Sequence, residues 1–204
     1  MLFGMDRLPT RMRPDDPRLP GVTLDAVPLR LNSEALPADR VAAGQGGHAA
    51  RMAAAEAWLD AACGAYAPLR QRFVGFWLRF VAAHVASHRT ELAERLRPFG
   101  GLYAPEDFVW SALRPLPRAL LPAGDGAVPV DMAFWDGTRL LAVLLGDAPD
   151  VTVPGVTLCR LSAAELAGDA EAVVAERFPA GFLRFWQGET LPMTPFRRQL
   201  PRLG

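Results

Sequence analysis

The sequence predicts an α+β fold in which a helical hairpin packs against a small mixed or antiparallel sheet. Apolar residues recur every three or four positions over residues 48–98, a spacing that is typical of amphipathic helices. Residues 128–161 instead contain short apolar and β-branched runs that are separated by a turn signal. Of the 204 residues, 50% are hydrophobic, which is enough for one substantial core.

We divide the chain into a Pro-rich extended arm over residues 1–47, a single α+β domain over 48–186 and a C-terminal tail over 187–204. Prolines break helices and central strands, and they punctuate the whole arm. The only strand-like stretch of the arm lies at residues 21–32. We expect the arm to pack on the domain or on a partner. The sheet and its further helices should lie within residues 102–186.

Residues 48–98 predict two helices. The first breaks near Gly64. The second begins at Pro68, because proline suits the first turn of a helix, and it runs to Leu96. The middle of this second helix is apolar nearly all round, so we expect it to be buried on two sides.

The next part of the domain carries the strongest local signals. A short helix is predicted from Pro105 to Leu113, and the prolines over 115–122 predict irregular structure or an edge strand. A strand over 128–135 leads into Asp136-Gly137, a favoured two-residue hairpin turn. The return strand over 138–146 is almost continuously apolar, which predicts burial on both of its faces.

A third strand is predicted over residues 156–161. Ser162 follows it, with Glu165 three residues later, and this spacing is that of a capping box at the start of a helix. We expect that helix to run to Phe178.

Composition excludes some kinds of chemistry. All 22 basic residues are arginine, so the chain has no lysine for a Walker A phosphate loop or a pyridoxal Schiff base. The 22 acidic residues balance them, and a neutral chain does not indicate nucleic acid as a partner. Cys63 and Cys159 lie far apart, which predicts two reduced core thiols of a cytoplasmic protein.

The sequence predicts a soluble chain that is neither exported nor inserted in a membrane. A transmembrane helix needs about 20 consecutive apolar residues, and the longest apolar run, over residues 73–86, is shorter and contains Arg79 and His84. The first residues are followed by prolines and charges rather than by the apolar core of a signal peptide.

His84 and His88 form one candidate metal site. They are four residues apart on one predicted helix face, and Glu91 lies one turn further on. Val85 occupies the position that glutamate takes in the H-E-x-x-H motif of zinc enzymes. The other interpretation is a helix face on which histidine and glutamate pair with neighbouring arginines.

The remaining candidates are the acids around the predicted hairpin: Glu106, Asp107, Asp131, Asp136 and Asp147. A helix with a glutamate, a strand with Pro129-Val130-Asp131, a hairpin, a buried strand, a further strand and a helix follow one another over residues 102–178. This order resembles the restriction-endonuclease-like PD-(D/E)xK nuclease family. The resemblance implies that Asp131 binds Mg²⁺ together with a second acid, and that the metal activates water for phosphodiester cleavage.

The chain departs from the pattern of that family. The second acid belongs on the return strand, where Val143, Leu144 and Leu145 are apolar, and there is no lysine to assist the attacking water. The connection over residues 146–155 leaves no room for the crossover helix of the family. The resemblance therefore implies a nuclease-like core that has lost catalysis.

We accordingly expect a non-catalytic protein-interaction or assembly subunit without a cofactor. Its arm and tail would hold a protein partner or a second copy of the chain. One alternative is a metal-dependent nuclease or nucleic-acid-processing protein that uses Asp131, Glu106 and Asp147 with Mg²⁺. Another is a ligand-binding fold with a pocket between the hairpin and the sheet. Asp131 has a structural interpretation as well, as an acid that faces solvent or pairs with Arg139 or Arg160.

Overall fold

The computed structural model describes residues 1–4, 23–24, 26, 28–31, 47–101, 103–123 and 126–180. Over these residues it confirms the predicted α+β fold, with helices packed on a four-stranded mixed sheet. The C-terminal tail and most of the arm lie outside the described residues. None of the helices in the described part of the chain is long and apolar enough to cross a membrane.

The helical hairpin forms as predicted, but its second helix is divided. The helices are α1 (Gly47–Cys63), α2 (Pro68–Ser87) and α3 (Arg89–Leu96). His88 interrupts the predicted long helix because two side chains engage the carbonyl oxygen of His84. The Ser87 hydroxyl donates to that oxygen over 3.0 Å, and His88 Nδ1 lies 2.9 Å from it. Side chains that bond to the preceding turn in this way bend or end a helix.

The sheet consists of β1 (Leu116–Ala123), β2 (Gly126–Trp135), β3 (Leu140–Leu145) and β4 (Val156–Leu161). The strands lie side by side in chain order. β1 and β3 both pair antiparallel with β2, whereas β4 pairs parallel with β3. The proline-containing strand β1 is at one edge of the sheet, as its prolines predict.

The hairpin turn between β2 and β3 lies one residue later than predicted. Trp135 pairs with Leu140, and Gly137 and Thr138 are the central residues of the turn. The Asp136 carboxylate sets this register, because its Oδ1 accepts hydrogen bonds from the amides of Thr138 (2.9 Å) and Arg139 (2.6 Å). Burial alone would raise the pKa of Asp136, but these hydrogen bonds lower it below its usual value.

The helices that precede and follow the sheet in the chain differ from their predicted form. Residues Pro105–Ser111 form a 3₁₀ helix. The Ser162–Glu165 capping box is confirmed, since the Ser162 amide donates to Glu165 Oε2 over 2.7 Å and the Glu165 amide donates to Ser162 Oγ over 3.2 Å. The helix that follows is divided into a 3₁₀ turn, Glu165–Ala167, and α4, Ala170–Arg177.

The sheet has an apolar layer on each face. Leu141, Val143 and Leu145 of β3 face the helices, whereas Leu140, Ala142 and Leu144 face a second, smaller cluster. β3 is therefore buried on both faces, as predicted. The helical layer centres on Trp77, whose ring packs against Phe80, Phe134 and Phe178. The indole nitrogen of Trp77 donates to the Leu113 carbonyl over 3.0 Å, which satisfies its polar atom inside the core.

The described residues of the arm pack on the domain. Leu2 forms a bridge to Leu120 along the outer side of β1, and the Gly4 amide donates to the Pro117 carbonyl over 2.6 Å. Further along the arm, the Leu29 amide donates to the Trp135 carbonyl and the Leu29 carbonyl accepts from the Arg114 amide. Leu31 is buried in the helical layer.

We predict that Gly137→Ala lowers the free energy of unfolding by about 1–3 kcal/mol. Gly137 has φ +95°, which disfavours side chains, and an added Cβ would lie 2.8 Å from the carbonyl oxygen of Ala26. Urea unfolding followed by circular dichroism measures the change. Gly126→Ala is the matched control, because its Cβ would meet only the Ala123 oxygen at 3.8 Å. Equal effects of the two substitutions would contradict the prediction.

Candidate functional site

Asp131 joins the sheet to the helical hairpin. Its Oδ1 accepts a hydrogen bond from Nε of Arg70 on α2, over 2.9 Å. Its Oδ2 accepts one from the Leu145 amide on β3, also over 2.9 Å. Arg70 Nη1 donates in addition to the Cys63 carbonyl at the end of α1, over 3.4 Å. One carboxylate thus links β2, β3 and α2 directly, and α1 through Arg70.

The prediction that Asp131 pairs with Arg139 or Arg160 is wrong, because its partner is Arg70. Arg139 bonds to Asp136, its neighbour in the hairpin turn, over 2.8 Å. Arg160 bonds to Asp150 in the connection between β3 and β4, over 2.5 Å. Each of these arginines is held by an acid close to it in the chain, which leaves Asp131 to pair with an arginine 61 residues away.

The sheet is irregular at Asp131. The pairing of β1 with β2 skips Arg118 and Asp131 and resumes at Ala119 and Val130. Arg118 has φ +51°, a strained conformation for a residue other than glycine. Met132 faces the helical layer, although Val130, two residues before it, faces the smaller cluster. The side-chain alternation of β2 therefore shifts by one residue at the acid that contacts α2.

Four charged groups surround the buried Cys63 thiol: Asp60, Arg70, Arg118 and Asp131. Burial, followed by the charge of Asp60, raises the pKa of Cys63 to about 12, so the thiol is protonated and unreactive at neutral pH. The pKa of Asp60 is itself raised by burial and by Glu56. Cys159 is also buried and free, and burial raises its pKa to about 11. The predicted core location of both cysteines is confirmed.

The three acids of the nuclease alternative lie in three different settings. Asp131 accepts hydrogen bonds from Arg70 and Leu145. Glu106 pairs with Arg89, and Asp147 is exposed after β3. Within the residues described here, no group of three or more His, Cys, Asp or Glu side chains is arranged to hold a metal ion. Their use with Mg²⁺ stays a prediction from the resemblance.

The candidate histidine pair is held by contacts within the domain. The rings of His84 and His88 are 4.6 Å apart, and His84 also stacks on Phe80 at 5.3 Å. Glu171 of α4 lies beside them, with its Oε1 3.5 Å from His84 Nδ1. The expected third member, Glu91, lies in the first turn of α3, beyond the break at His88. These contacts join the histidines to an acid of α4 and to an aromatic ring rather than to the neighbouring arginines of the pairing interpretation. Metal binding by the pair stays a prediction.

A small cleft of about 110 Å³ lies between α1, α2 and the 3₁₀ helix. Its lining residues are His48, Ala82, Val85, Ala86, Arg89, Glu106 and Val109. His48 Nδ1 is buried and has no hydrogen-bond partner among the described residues. Burial and the charge of Arg51 lower the pKa of His48, although Asp107 opposes them. His48 is therefore a neutral imidazole at neutral pH.

Sequence patterns did not point to Arg70, Arg118 or His48. Arg70 lies in the first turn of a helix, where a cation gives no signal of a distant acid. The conformation of Arg118 depends on its pairing with β2, which no local pattern specifies. His48 precedes the apolar repeat of α1, and that position alone predicts a surface residue.

The chain matches no protein-family model, no curated protein and no solved structure in the comparisons made.

We predict that Asp131→Ala lowers the free energy of unfolding by about 2–4 kcal/mol. The substitution leaves the Arg70 guanidinium and the Leu145 amide without their acceptor. Urea unfolding measures the loss. Asp147→Ala removes the same group from an exposed position and should change stability by no more than about 0.5 kcal/mol. A loss for Asp131→Ala as small as that of the control would contradict the structural role.

We predict that the protein loses stability as the pH falls below 6.5, the ordinary pKa of histidine. The pKa of His48 is lower in the folded state than in the unfolded chain. As the pH falls, the unfolded chain therefore binds this proton more readily, and protonation stabilises it relative to the folded state. Thermal unfolding between pH 8 and pH 5 measures the effect. His48→Gln should flatten the pH dependence in this range. An unchanged slope in that variant would show that other groups cause it.

Proposed function

We propose that the protein is a non-catalytic protein-interaction or assembly subunit that binds an extended segment of a partner protein along β4. The observation that carries this proposal is the open outer edge of β4. Within the described part of the chain, β4 pairs only with β3, and no strand lies on its other side. An unpaired edge of this kind is a template for a further strand.

The direction of the backbone groups of β4 supports the proposal. The Leu161 carbonyl accepts a hydrogen bond from Gly146 over 2.8 Å and therefore points toward β3. Because these groups alternate along a strand, the amides and carbonyls of Leu158 and Arg160 point outward. The Val156 amide is already bonded to Val153, over 3.2 Å. A partner strand would thus find its main hydrogen-bonding sites at residues 158 and 160.

The side chains of β4 offer little resistance to an incoming strand. Leu158 is 38% exposed, which is unusual for a leucine in this domain. Arg160 is the only charged residue of the strand, and its guanidinium is turned toward the β3–β4 connection. There it bonds to Gly146, Ala148 and Asp150. The edge therefore lacks the free charges with which proteins usually block strand addition.

The opposite edge shows how this sheet accepts an extended segment. Leu2 and Leu120 exchange two backbone hydrogen bonds, of 2.8 and 3.3 Å, along the outer side of β1. The first residues of the arm thus pair with part of this edge from within the same chain. The sequence predicts that the arm and the tail hold the partner. The described arm residues instead pack on their own domain, so β4 is the edge left for a partner, and the tail lies outside the described residues.

The bonding of Asp131 supports the non-catalytic part of the proposal. Both of its oxygens accept hydrogen bonds from within the domain. The return strand that would carry the second acid of a nuclease is apolar and buried at all six positions. The test of this part is DNA and RNA cleavage with Mg²⁺ or Mn²⁺. Metal-dependent cleavage that Asp131→Asn abolishes would contradict it.

We predict that a photocrosslinking amino acid at position 158 forms a discrete adduct with one partner protein in the native cell. The same group at Ala163, an exposed position beyond β4, serves as the control and should not form this adduct. Mass spectrometry identifies the partner.

Two substitutions at position 160 separate backbone pairing from side-chain contact. Arg160→Ala and Arg160→Pro both remove the guanidinium, but only proline also removes the outward amide. The adduct should persist in the alanine variant and disappear in the proline variant. An adduct that survives in both, or forms equally from position 163, would contradict strand addition at β4.

A further inference from the structure

We infer that a second surface, a groove between α1, α2 and the turn at Glu165–Ala167, binds an acidic segment of a partner protein. The groove has a volume of about 520 Å³. The residues that matter here are Glu56, Gln71, Arg72, Gly75, Arg79 and Leu166, all of which line it. This inference rests on the proposed role as an interaction subunit, but it uses a surface separate from β4.

Two arginines on one side of α2 give the groove its cationic character. Arg72 and Arg79 are seven residues apart, which is two helical turns and about 10 Å along the axis. Arg79 Nη2 donates to the Leu166 carbonyl over 3.2 Å, which orients the guanidinium and leaves its other N–H groups available. Arg72 is exposed, and no contact pairs it with an acid in the described part of the chain.

Gly75 keeps the floor of the groove open. A glycine in the middle of a helix disfavours that helix, so it needs a reason. Close packing is not the reason, because an added Cβ would meet Arg79 Nη1 and Glu56 Oε1 only at 3.5 Å, an ordinary contact. A methyl group would fit there, whereas a larger side chain would fill the space between Arg79 and Glu56. The groove thus stays open with glycine or alanine at this position, and a larger side chain would block it.

The charges favour a peptide over nucleic acid. Two arginines and one glutamate leave the groove with a net positive charge, which suits carboxylates. Glu56, on the α1 wall, would repel a continuous run of phosphates, whereas a peptide can offer it backbone N–H groups. Two acidic residues about 10 Å apart would reach both arginines. That separation corresponds to three positions in an extended segment or seven in a helix.

A fully exposed tyrosine stands beside this groove in the chain. Tyr66 is 100% exposed and has φ +60°, a conformation that side chains rarely adopt. It lies two residues before Pro68, which lines the groove. Tyrosine and arginine are both enriched at the energetic centres of protein interfaces. Tyr66 therefore adds an exposed aromatic ring close in the chain to a lining residue of the groove.

The test uses a panel of short fluorescein-labelled peptides that carry two glutamates and one leucine and differ in the separation of the glutamates. Fluorescence anisotropy should show the tightest binding at a separation of three or seven positions. Arg72→Glu and Arg79→Glu should each weaken that binding at least tenfold, because each reverses one cation. Glu56→Gln should strengthen it severalfold. Arg97→Glu, a charge reversal at an exposed position of another helix end, should have no effect.

Substitutions at Gly75 separate blockage of the groove from damage to the fold. Gly75→Ala should bind like the wild type, and Gly75→Leu should lose binding while its circular dichroism spectrum is unchanged. Binding that ignores glutamate separation or survives both arginine reversals would overturn the inference. So would tighter binding of a single-stranded oligonucleotide at the same arginines, which would assign the groove to nucleic acid.

The experiments can contradict the groove and the β4 edge separately. Arg160→Pro should leave peptide affinity unchanged, because residue 160 does not line the groove. Absence of peptide binding together with an intact adduct at position 158 would overturn the groove alone. Peptide binding without that adduct would overturn strand addition at β4 alone.

Discussion

The arrangement of this domain depends on the Asp131 carboxylate. It is the one acid that contacts the helical hairpin from within β2, and through Arg70 and Leu145 it fixes the position of α2 relative to β3. The same point carries the local irregularities: the skipped pair in the β1–β2 ladder and the positive φ of Arg118. A charged group in such a place is stable only while its partners stay in position. The polar contacts of Asp131 therefore help to specify how the hairpin lies on the sheet, beside the apolar burial of the core.

The sequence predicted the parts of the fold that depend on local pattern. The continuous apolar run of β3 and the serine–glutamate spacing after β4 have short-range physical causes, and both were confirmed. The divided helix at His88 was not predicted, because competition for the His84 carbonyl depends on the rotamers of two side chains. The turn at Gly137 lies one residue after its predicted position for a similar reason. The Asp136 carboxylate accepts hydrogen bonds from the amides of Thr138 and Arg139, and no sequence pattern specified these contacts.

The candidate site was predictable only in part. Asp131 stood out because Pro129-Val130-Asp131, in a strand before a hairpin, resembles the motif of the nuclease family. Its partner Arg70 could not be found, because the pairing joins residues 61 positions apart and depends on how α2 lies across the sheet. The local arginines considered for it, Arg139 and Arg160, were taken by nearer acids. A pattern can thus identify a residue under constraint without showing whether catalysis or structure imposes it.

The absence of lysine, which first excluded some catalytic chemistry, also bears on how the domain is held together. Arg70 donates from Nε to Asp131 and from Nη1 to the Cys63 carbonyl, and Arg160 bonds to Gly146, Ala148 and Asp150 together. A planar guanidinium can serve several acceptors in different directions, whereas an ammonium group offers its three donors from a single point. An arginine-only chain can therefore use one cation to join several backbone segments. Replacing Arg70 by lysine would keep the charge opposite Asp131 but would remove this second contact to α1.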